Sequence, residues 1–333
     1  MWIPRSKARR GSALLTVLWL TAALSAIGLA LANNVRGETE RAATALDDTR
    51  AYFIARGAIE RAALHMFRGR GAFTPDGRPL NYRYGTPSMD FDFPSASVHV
   101  DVIPETAKLP LNSIDDAELT AVLAALGEPE ARSLATAAAI IDWRTPVTEE
   151  RPSLFDAFYL SQSPSFLPRH ASFQENEELL LVKGVTPDLY YGRSLAASPS
   201  SDAPAALRDC VSVYGSSAVD VNTARRETMI ALGIAPADAA QIVERRRARP
   251  FLASSEDASE FAAVQQSLGP AGNRLRIGGN TIYTLRASAR LKRDDGKLSD
   301  LRRTVGALVK FNFPGNLAGK PPGYEVLRWY DRF

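Results

Sequence analysis

From Ser12 to Ala32 the chain carries no charged residue, and Leu and Ala dominate. As an α-helix at about 1.5 Å per residue, this run spans roughly the 30 Å hydrocarbon core of a bilayer. Beyond it, Val35, Ala42, Ala45, Leu46, Tyr52, Phe53, Ile59, Ala63 and Met66 keep helical spacing among charged neighbours, and no Pro interrupts before Pro75. The pattern predicts one helix from about Ser12 to Arg68, about 80 Å long. Arg68 to Phe93 is rich in Gly, Pro and Asp and reads as loop. Then Val98, Val100 and Val102 alternate with His99 and Asp101, as in a half-buried strand. A hairpin follows much later, near 281–313. Tyr283, Leu285, Ala287, Ala289 and Leu291 alternate, Asp294 to Gly296 supplies the turn, and Val305, Ala307, Val309 and Phe311 return on one face.

Between these strands the pattern is mostly helical and weakly repeated. "LPLNSIDDAELTAVLAALG" (109–127) compares with "VDVNTARRETMIALG" (219–233). Each has alternating apolar residues, an Asn-Ser or Asn-Thr pair, and a helix ending in Leu-Gly. Asn112-Ser113 and Asn222-Thr223 are residue types that cap helix N-termini, and Gly127 and Gly233 suit a left-handed C-terminal position. A second helix follows each Gly, with Pro129 and Pro236 in its first turn. "EELLLVKGVTPDLYYGR" (177–193) reads as another helix, Gly, helix unit, with Thr186 as cap and Pro187 in the first turn.

Charge orients the chain. Arg5, Lys7, Arg9 and Arg10 precede the apolar run and no comparable cluster follows it, which predicts a cytoplasmic N-terminus and a body across the membrane. A cleavable secretory signal is the competing reading, since Ala30-Leu31-Ala32 looks like a processing site. The run exceeds a signal peptide's usual length of about 7–15 apolar residues, and a signal needs no amphipathic continuation. The formal net charge of +3 over 333 residues is too weak alone to imply nucleic acid. Cys210 is the only cysteine, so an intramolecular disulfide and a Cys-based metal site are excluded, and a small buried apolar role is expected.

The N-terminal shape resembles that of type IV pilins and pseudopilins, whose short basic leader ends in Gly directly before the apolar helix. Here Lys7-Ala8-Arg9-Arg10-Gly11 precedes Ser12. Most members of that family carry Glu at the fifth mature position, where this chain has Thr16. "Arg10-Gly11-Ser12-Ala13-Leu14-Leu15-Thr16-Val17-Leu18", together with "IIDWR" (140–144), "EELLLVKGVTPDLYYG" (177–192) and "VNTA" (221–224), resembles the protein K family of type II secretion systems. That resemblance covers nearly the whole chain.

It implies a non-catalytic minor pseudopilin of α+β class, with a long N-terminal helix packed on a small antiparallel sheet. The expected organisation is a prepilin leader at 1–11, a helix at 12–68 (12–32 transmembrane, 33–68 periplasmic and amphipathic), a pilin-like β domain from 69–108 and 273–333, and an inserted all-α domain of helix-hairpin-helix-like repeats at 109–272. Gly11 and Ser12 would flank the prepilin peptidase cut, and Leu14, Leu15, Thr16 and Val17 would begin the assembly helix. A Glu inside an apolar span is costly unless paired. The resemblance gives that Glu the task of neutralising the N-terminal amine of the subunit ahead, so Thr16 implies a subunit with no other ahead of it, at the tip of the periplasmic pseudopilus. Implied partners are minor pseudopilins of types I, J and H, the inner-membrane assembly platform and the prepilin peptidase.

Other chemistries find less support. His65, His99 and His170 are scattered, with no catalytic motif or paired carboxylates, and no enzyme activity is expected. Helix-hairpin-helix units often bind DNA through backbone N–H groups. Gly233-Ile234-Ala235 followed by Arg245, Arg246, Arg247 and Arg249 is the best candidate, and it makes a membrane-anchored DNA receptor the alternative reading. In the first unit Glu128 would repel phosphate and Pro129 has no N–H to offer, so no nucleic acid is expected. The resemblance also brings calcium into consideration in the loop after Asp142-Trp143, where Glu149, Glu150 and Asp156 are the remaining acids. That loop lacks the dense Asp spacing and Gly turn of a calcium site, so no cofactor is expected. Trp143 reads as a core anchor.

Overall fold

A computed structural model describes residues 12–68, 82, 85–192, 205–252, 255–279, 281–293, 295–312 and 322–331. The leader, including Gly11, lies outside them. Helix α1 runs unbroken from Ser12 to Arg68, 57 residues, as its uninterrupted pattern predicts. The remaining helices are α2 (Asp116–Ala125), α3 (Glu130–Arg144), α4 (Asp156–Leu160), α5 (Pro187–Tyr191), α6 (Leu207–Cys210), α7 (Arg226–Ala231), α8 (Pro236–Ala248) and α9 (Ser255–Ser267). Strands in chain order are β1 (Ser88–Phe93), β2 (Ala96–Pro104), the two-residue β3 (Leu109–Pro110), β4 (Val211–Ser212), β5 (Val219–Asp220) and β6 (Leu275–Arg276), then β7 (Ile282–Lys292), β8 (Leu298–Asn312) and β9 (Gly323–Tyr330).

The main sheet is five-stranded and antiparallel throughout, in the order β1-β2-β7-β8-β9. Its alternating Val, Leu and Ala side chains face α1. The helix meets them with Ala51, Ala55, Ala58, Ile59, Ala62 and Ala63, all fully buried. Small alanines let the helix lie close on the pleat, while Ile59 and Met66 fill the gaps. Two strands depart from the sequence expectation. The 88–93 stretch, expected as loop, is strand β1, and Gly323–Tyr330 adds β9. Both are edge strands, which need few apolar positions, and β1 turns Asp90 and Asp92 outward.

A second, separate hydrophobic core lies between β2 and β7 in the chain. Trp143 anchors part of it at 2% exposure. Its ring stacks on Phe173 and meets Tyr159 and Phe166 edge-on. Cys210 is buried there, and burial, with Asp209 beside it, pushes the thiol up to about 12. Gly184 comes so close to α3 that a Cβ would stand 2.4 Å from the Thr136 hydroxyl, and its φ of +91° is one that L-residues avoid. The segment expected as helix around 177–181 is a 3₁₀ turn, Asn176–Leu181, whereas α5 forms with Thr186 as cap and Pro187 first.

The inserted part is built twice on one plan. β3 pairs in parallel with β4, and β5 pairs in parallel with β6. Immediately after, Leu111 N donates to Ser212 O and Val221 N to Arg276 O. Asn112 and Asn222 do not cap helices. Asp115 caps α2 through Glu118 N, and α7 has no side-chain cap. Each Asn instead clamps the backbone of a distant Phe. Asn112 Nδ2 donates to Phe173 O at 2.9 Å and its Oδ1 accepts from Phe173 N at 2.7 Å. Asn222 does the same to Phe251 at 2.7 and 2.8 Å, and also donates to Gly85 O at 2.9 Å. An arginine closes each unit. Arg144 donates to Leu111 O and Ile114 O, and Arg246 to Val221 O and Ala224 O. The helical hairpins turn at Gly127 (φ +90°) and Gly233 (φ +88°), the left-handed positions the sequence predicts. Pro129 stands just before α3, one position earlier than expected, and Pro236 opens α8.

Candidate assembly surface

Among the described residues, nothing packs against the apolar N-terminal part of α1. From Ala13 to Ala32 every side chain is exposed, with Leu14, Leu15 and Val17 at 78, 57 and 61%. α1 is the one helix among the described residues long and apolar enough to cross a membrane. Thr16 Oγ1 donates to Ala13 O at 2.9 Å, so its hydroxyl is satisfied inside the helix and adds no charge to the apolar surface. Ser12 begins the helix.

Above this segment α1 presents a second surface. Val35, Leu46 and Phe53 are 58, 52 and 62% exposed. At about 100° per residue, steps of eleven and seven return to nearly the same direction, so the three line one face. Phe53 points away from the alanine face that covers the sheet. The sequence pattern includes these residues in one apolar stripe with Ile59, Ala63 and Met66. The structure divides that stripe, burying the upper part and leaving the lower part open. Salt bridges Glu38–Arg41 and Asp47–Arg50 flank the open face at 2.5 and 3.5 Å.

The seam between the two cores is polar and closely bonded. Glu105, at 1% exposure, accepts from Lys108 Nζ at 3.0 Å, Ser212 Oγ at 2.5 Å and Thr284 Oγ1 at 2.5 Å. It thus ties the end of β2, the inserted unit and β7 at one point. Burial works to raise its pKa, but the Lys108 ammonium and the hydroxyl hydrogen bonds outweigh it and hold the carboxyl below its usual range. Arg328 of β9 reaches Glu175 and Glu177 of the insertion at 2.9 and 3.2 Å. Beside Glu105 is a cavity of about 250 Å³ walled by Tyr190, Tyr191, Tyr330 and charged side chains of both signs. Arg208 and Arg328 already cover the Tyr191 and Tyr330 rings at 5.3 and 5.4 Å.

On the sheet's outer face, His99 lies between two carboxylates, Nδ1 2.6 Å from Asp90 and Nε2 3.3 Å from Asp101. The Asp101 hydrogen bond, and then that of Asp90, outweigh partial burial and raise the imidazole to about 9. Asp101 is in turn held below its ordinary value, against burial, by His99 and Arg286.

The remaining candidate residues have structural partners. Arg245 forks onto Glu260, Arg247 pairs with Glu244, Arg249 with Asp257, and Arg246 is turned inward to the clamp. Burial lowers Arg246 to about 10, which leaves it charged at neutral pH. The arginine run is therefore a helix end whose side chains are paired with acids or turned inward. Asp142 accepts from Ser153 Oγ and Leu154 N, and Asp156 from His170 Nε2 at 2.9 Å. Among the described residues no group of three or more His, Cys, Asp or Glu could hold a metal. Asp142 and Asp156 are occupied in this way, whereas Glu149 and Glu150 lie exposed in the same loop. His65 stacks edge-on with Phe91, 5.4 Å between ring centres, and is structural.

The inserted unit also carries a family signature. Residues 105–192 match the model of type II secretion system protein K. Over this stretch the chain is similar to the protein K family. The matched stretch contains β3, Asn112, Trp143, Arg144 and Phe173 of the first clamp unit and runs to α5, but not the partner strand β4. No curated protein matches the chain. Among solved structures, a chain of the GspK-GspI-GspJ complex from the enterotoxigenic Escherichia coli type 2 secretion system is similar at 16% identity and a TM-score of 0.49, covering 87% of this chain and 98% of that one.

Proposed function

We propose that this chain is a minor pseudopilin of the type II secretion system, a structural subunit that acts by assembly and not by catalysis. The observation that carries the reading is the protein K segment mounted, through the Glu105 seam, on a sheet and a 57-residue helix with an exposed apolar end. In this reading the basic leader is cut after Gly11, residues 12–32 anchor the subunit in the inner membrane, and the body lies in the periplasm. The apolar segment later leaves the bilayer to pack among neighbouring subunits, with Val35, Leu46 and Phe53 extending that contact upward. Thr16 is uncharged and has no carboxylate to neutralise the N-terminal amine of a subunit ahead, which supports a place at the tip and a role in initiating the pseudopilus. Minor pseudopilins of types I, J and H, the assembly platform and the prepilin peptidase are the partners this role requires.

N-terminal sequencing of the protein recovered from membranes tests the reading. A mature start at Ser12 is expected, whereas a start at Asn33 would make it an ordinary secreted protein. Site-directed cross-linking from Thr16 tests the placement, since products distributed along the whole filament would overturn a tip position.

A further inference from the structure

The hairpin joining β7 to β8 concentrates positive charge. Residues 290–303 hold Arg290, Lys292, Arg293, Lys297, Arg302 and Arg303 against Asp294, Asp295 and Asp300. Six bases less three acids leave +3 within the segment. Asp92 pairs with Lys292 at 2.6 Å and Asp48 with Arg303 at 3.5 Å, so six bases less these five acids leave a local excess of +1. Arg290 and Arg302 stand opposite each other across the strands, an arrangement that like-charge repulsion disfavours. Arg302 is exposed, and so is 80% of the Lys297 side chain.

Packing on α1 sets the height of this hairpin. Arg303 reaches Asp48 at 3.5 Å, and Tyr52 bonds Asp331 at 2.8 Å. Further along β8, Phe311 packs on Tyr324, whose hydroxyl bonds Glu60. From Arg303 to Phe311, about 26 Å of strand therefore covers about 18 Å of helix axis. In the opposite direction, the chain from Arg303 back to Gly296 descends about 15 Å toward the apolar end of α1, to the level of helix positions near 38–40. That level is about 10 Å beyond Ala32, while a headgroup layer extends roughly 5–8 Å beyond the hydrocarbon core. Extended Lys and Arg side chains close the remaining gap.

We propose that the β7–β8 hairpin is a docking surface for anionic phospholipid headgroups, holding the body against the membrane while α1 is inserted. The proposal rests on the reading of α1 as a membrane anchor. Attraction of basic residues to an anionic surface corresponds to roughly a fivefold change in the docked-to-free ratio per charge, and falls off within a Debye length. Release of the hairpin would accompany extraction of the helix.

The test uses the full chain in nanodiscs, with a fluorophore on Ser299→Cys and a quencher on the lipid headgroups. A second label on Asn34→Cys reports the anchor itself. The expected result is quenching at position 299 in discs containing phosphatidylglycerol, reduced in phosphatidylcholine discs and at high salt. Adding Lys297→Gln and Arg302→Gln should shift the docked-to-free ratio roughly 25-fold, with the circular dichroism unchanged. Equal quenching in neutral and anionic discs, or none at 299 beside strong quenching at 34, overturns the docking surface and leaves the anchor intact. Absence of quenching at 34 overturns the anchor, and the docking surface with it. Loss of binding to neighbouring subunits in lipid-free detergent, with lipid quenching unchanged in the double variant, would assign the charge to an acidic protein partner and overturn the lipid proposal.

Discussion

Removing the Asn222 side chain tests the duplicated clamp. Asn222→Ala deletes three hydrogen bonds, two to the fully buried Phe251 backbone and one to Gly85 O. It leaves one donor and two acceptors with no replacement. Each orphaned buried group costs about 1–3 kcal/mol, offset in part where a water enters, so a total loss of about 3–5 kcal/mol is expected. Asn112→Ala removes two bonds at a part-buried site and should cost less, about 1.5–3 kcal/mol. Asn222→Asp should be at least as damaging as the alanine change, because two carbonyls would then face a carboxylate oxygen. Hydrogen exchange of the full chain in detergent reads this locally, since the Phe251 amide donates to Asn222. Its protection should fall by two to three orders of magnitude in Asn222→Ala while amides of β7 and β8 change little. A change below tenfold at Phe251, or a larger effect from Asn112→Ala, would refute the clamp as the element that holds each unit together.

Three further outcomes follow from the geometry. Glu105, whose pKa is depressed on folding, contributes stability that is present above the unfolded value near 4.5 and lost as pH falls through the folded one. In acid titrations followed by Trp fluorescence, Glu105→Gln should be less stable than the parent at neutral pH, and the difference should shrink below pH 4.5. His99 has the opposite sign, because its folded pKa of about 9 lies above the ordinary 6.5. Its contribution is complete below about 6.5 and disappears as pH rises through 9, and with the side chain 44% exposed, solvent screening limits it to about 1 kcal/mol. His99→Gln should flatten thermal stability across that window, and an unchanged slope would count against the Asp90–His99–Asp101 row. Phe53→Glu, on the open face of α1, should leave the melting temperature within about 2 °C while abolishing co-purification with neighbouring subunits. Normal co-purification would show that this face is not used.

The parts of this fold that local chemistry dictates were legible in the sequence. An unbroken spacing with no Pro gives α1 its limits, and strict alternation gives β2 and the β7–β8 hairpin. The edge strands were not legible. β1 alternates Met89, Phe91 and Phe93 with outward Asp90 and Asp92 over only five residues, beside a Gly- and Pro-rich stretch that suggests loop. The repeat was visible, but its logic was not, because the partners of Asn112 and Asn222 lie 61 and 29 residues further on. An Asn before a helix resembles a cap until the distant backbone it binds is in place. The assembly stripe was visible only as one band. Which of its residues cover the sheet depends on where along α1 the sheet is docked, and no local pattern records that.

The two clamp units also differ in an informative way. In the second, α8 ends at Ala248 and the clamped Phe251 follows almost at once. In the first, α3 ends at Arg144 and the chain passes through α4 and a cis Ser163-Pro164 bond before it reaches Phe173. Nature has thus built the same joint with and without a detour. The shorter version indicates how little connecting chain the joint demands, so the excursion from 145 to 172, outside the Tyr159 and Phe166 rings that pack on Trp143, is free to drift, lengthen or carry an inserted tag. Evolutionary change in this subunit should accumulate there, while the asparagine, the arginine and the phenylalanine backbone stay where they are.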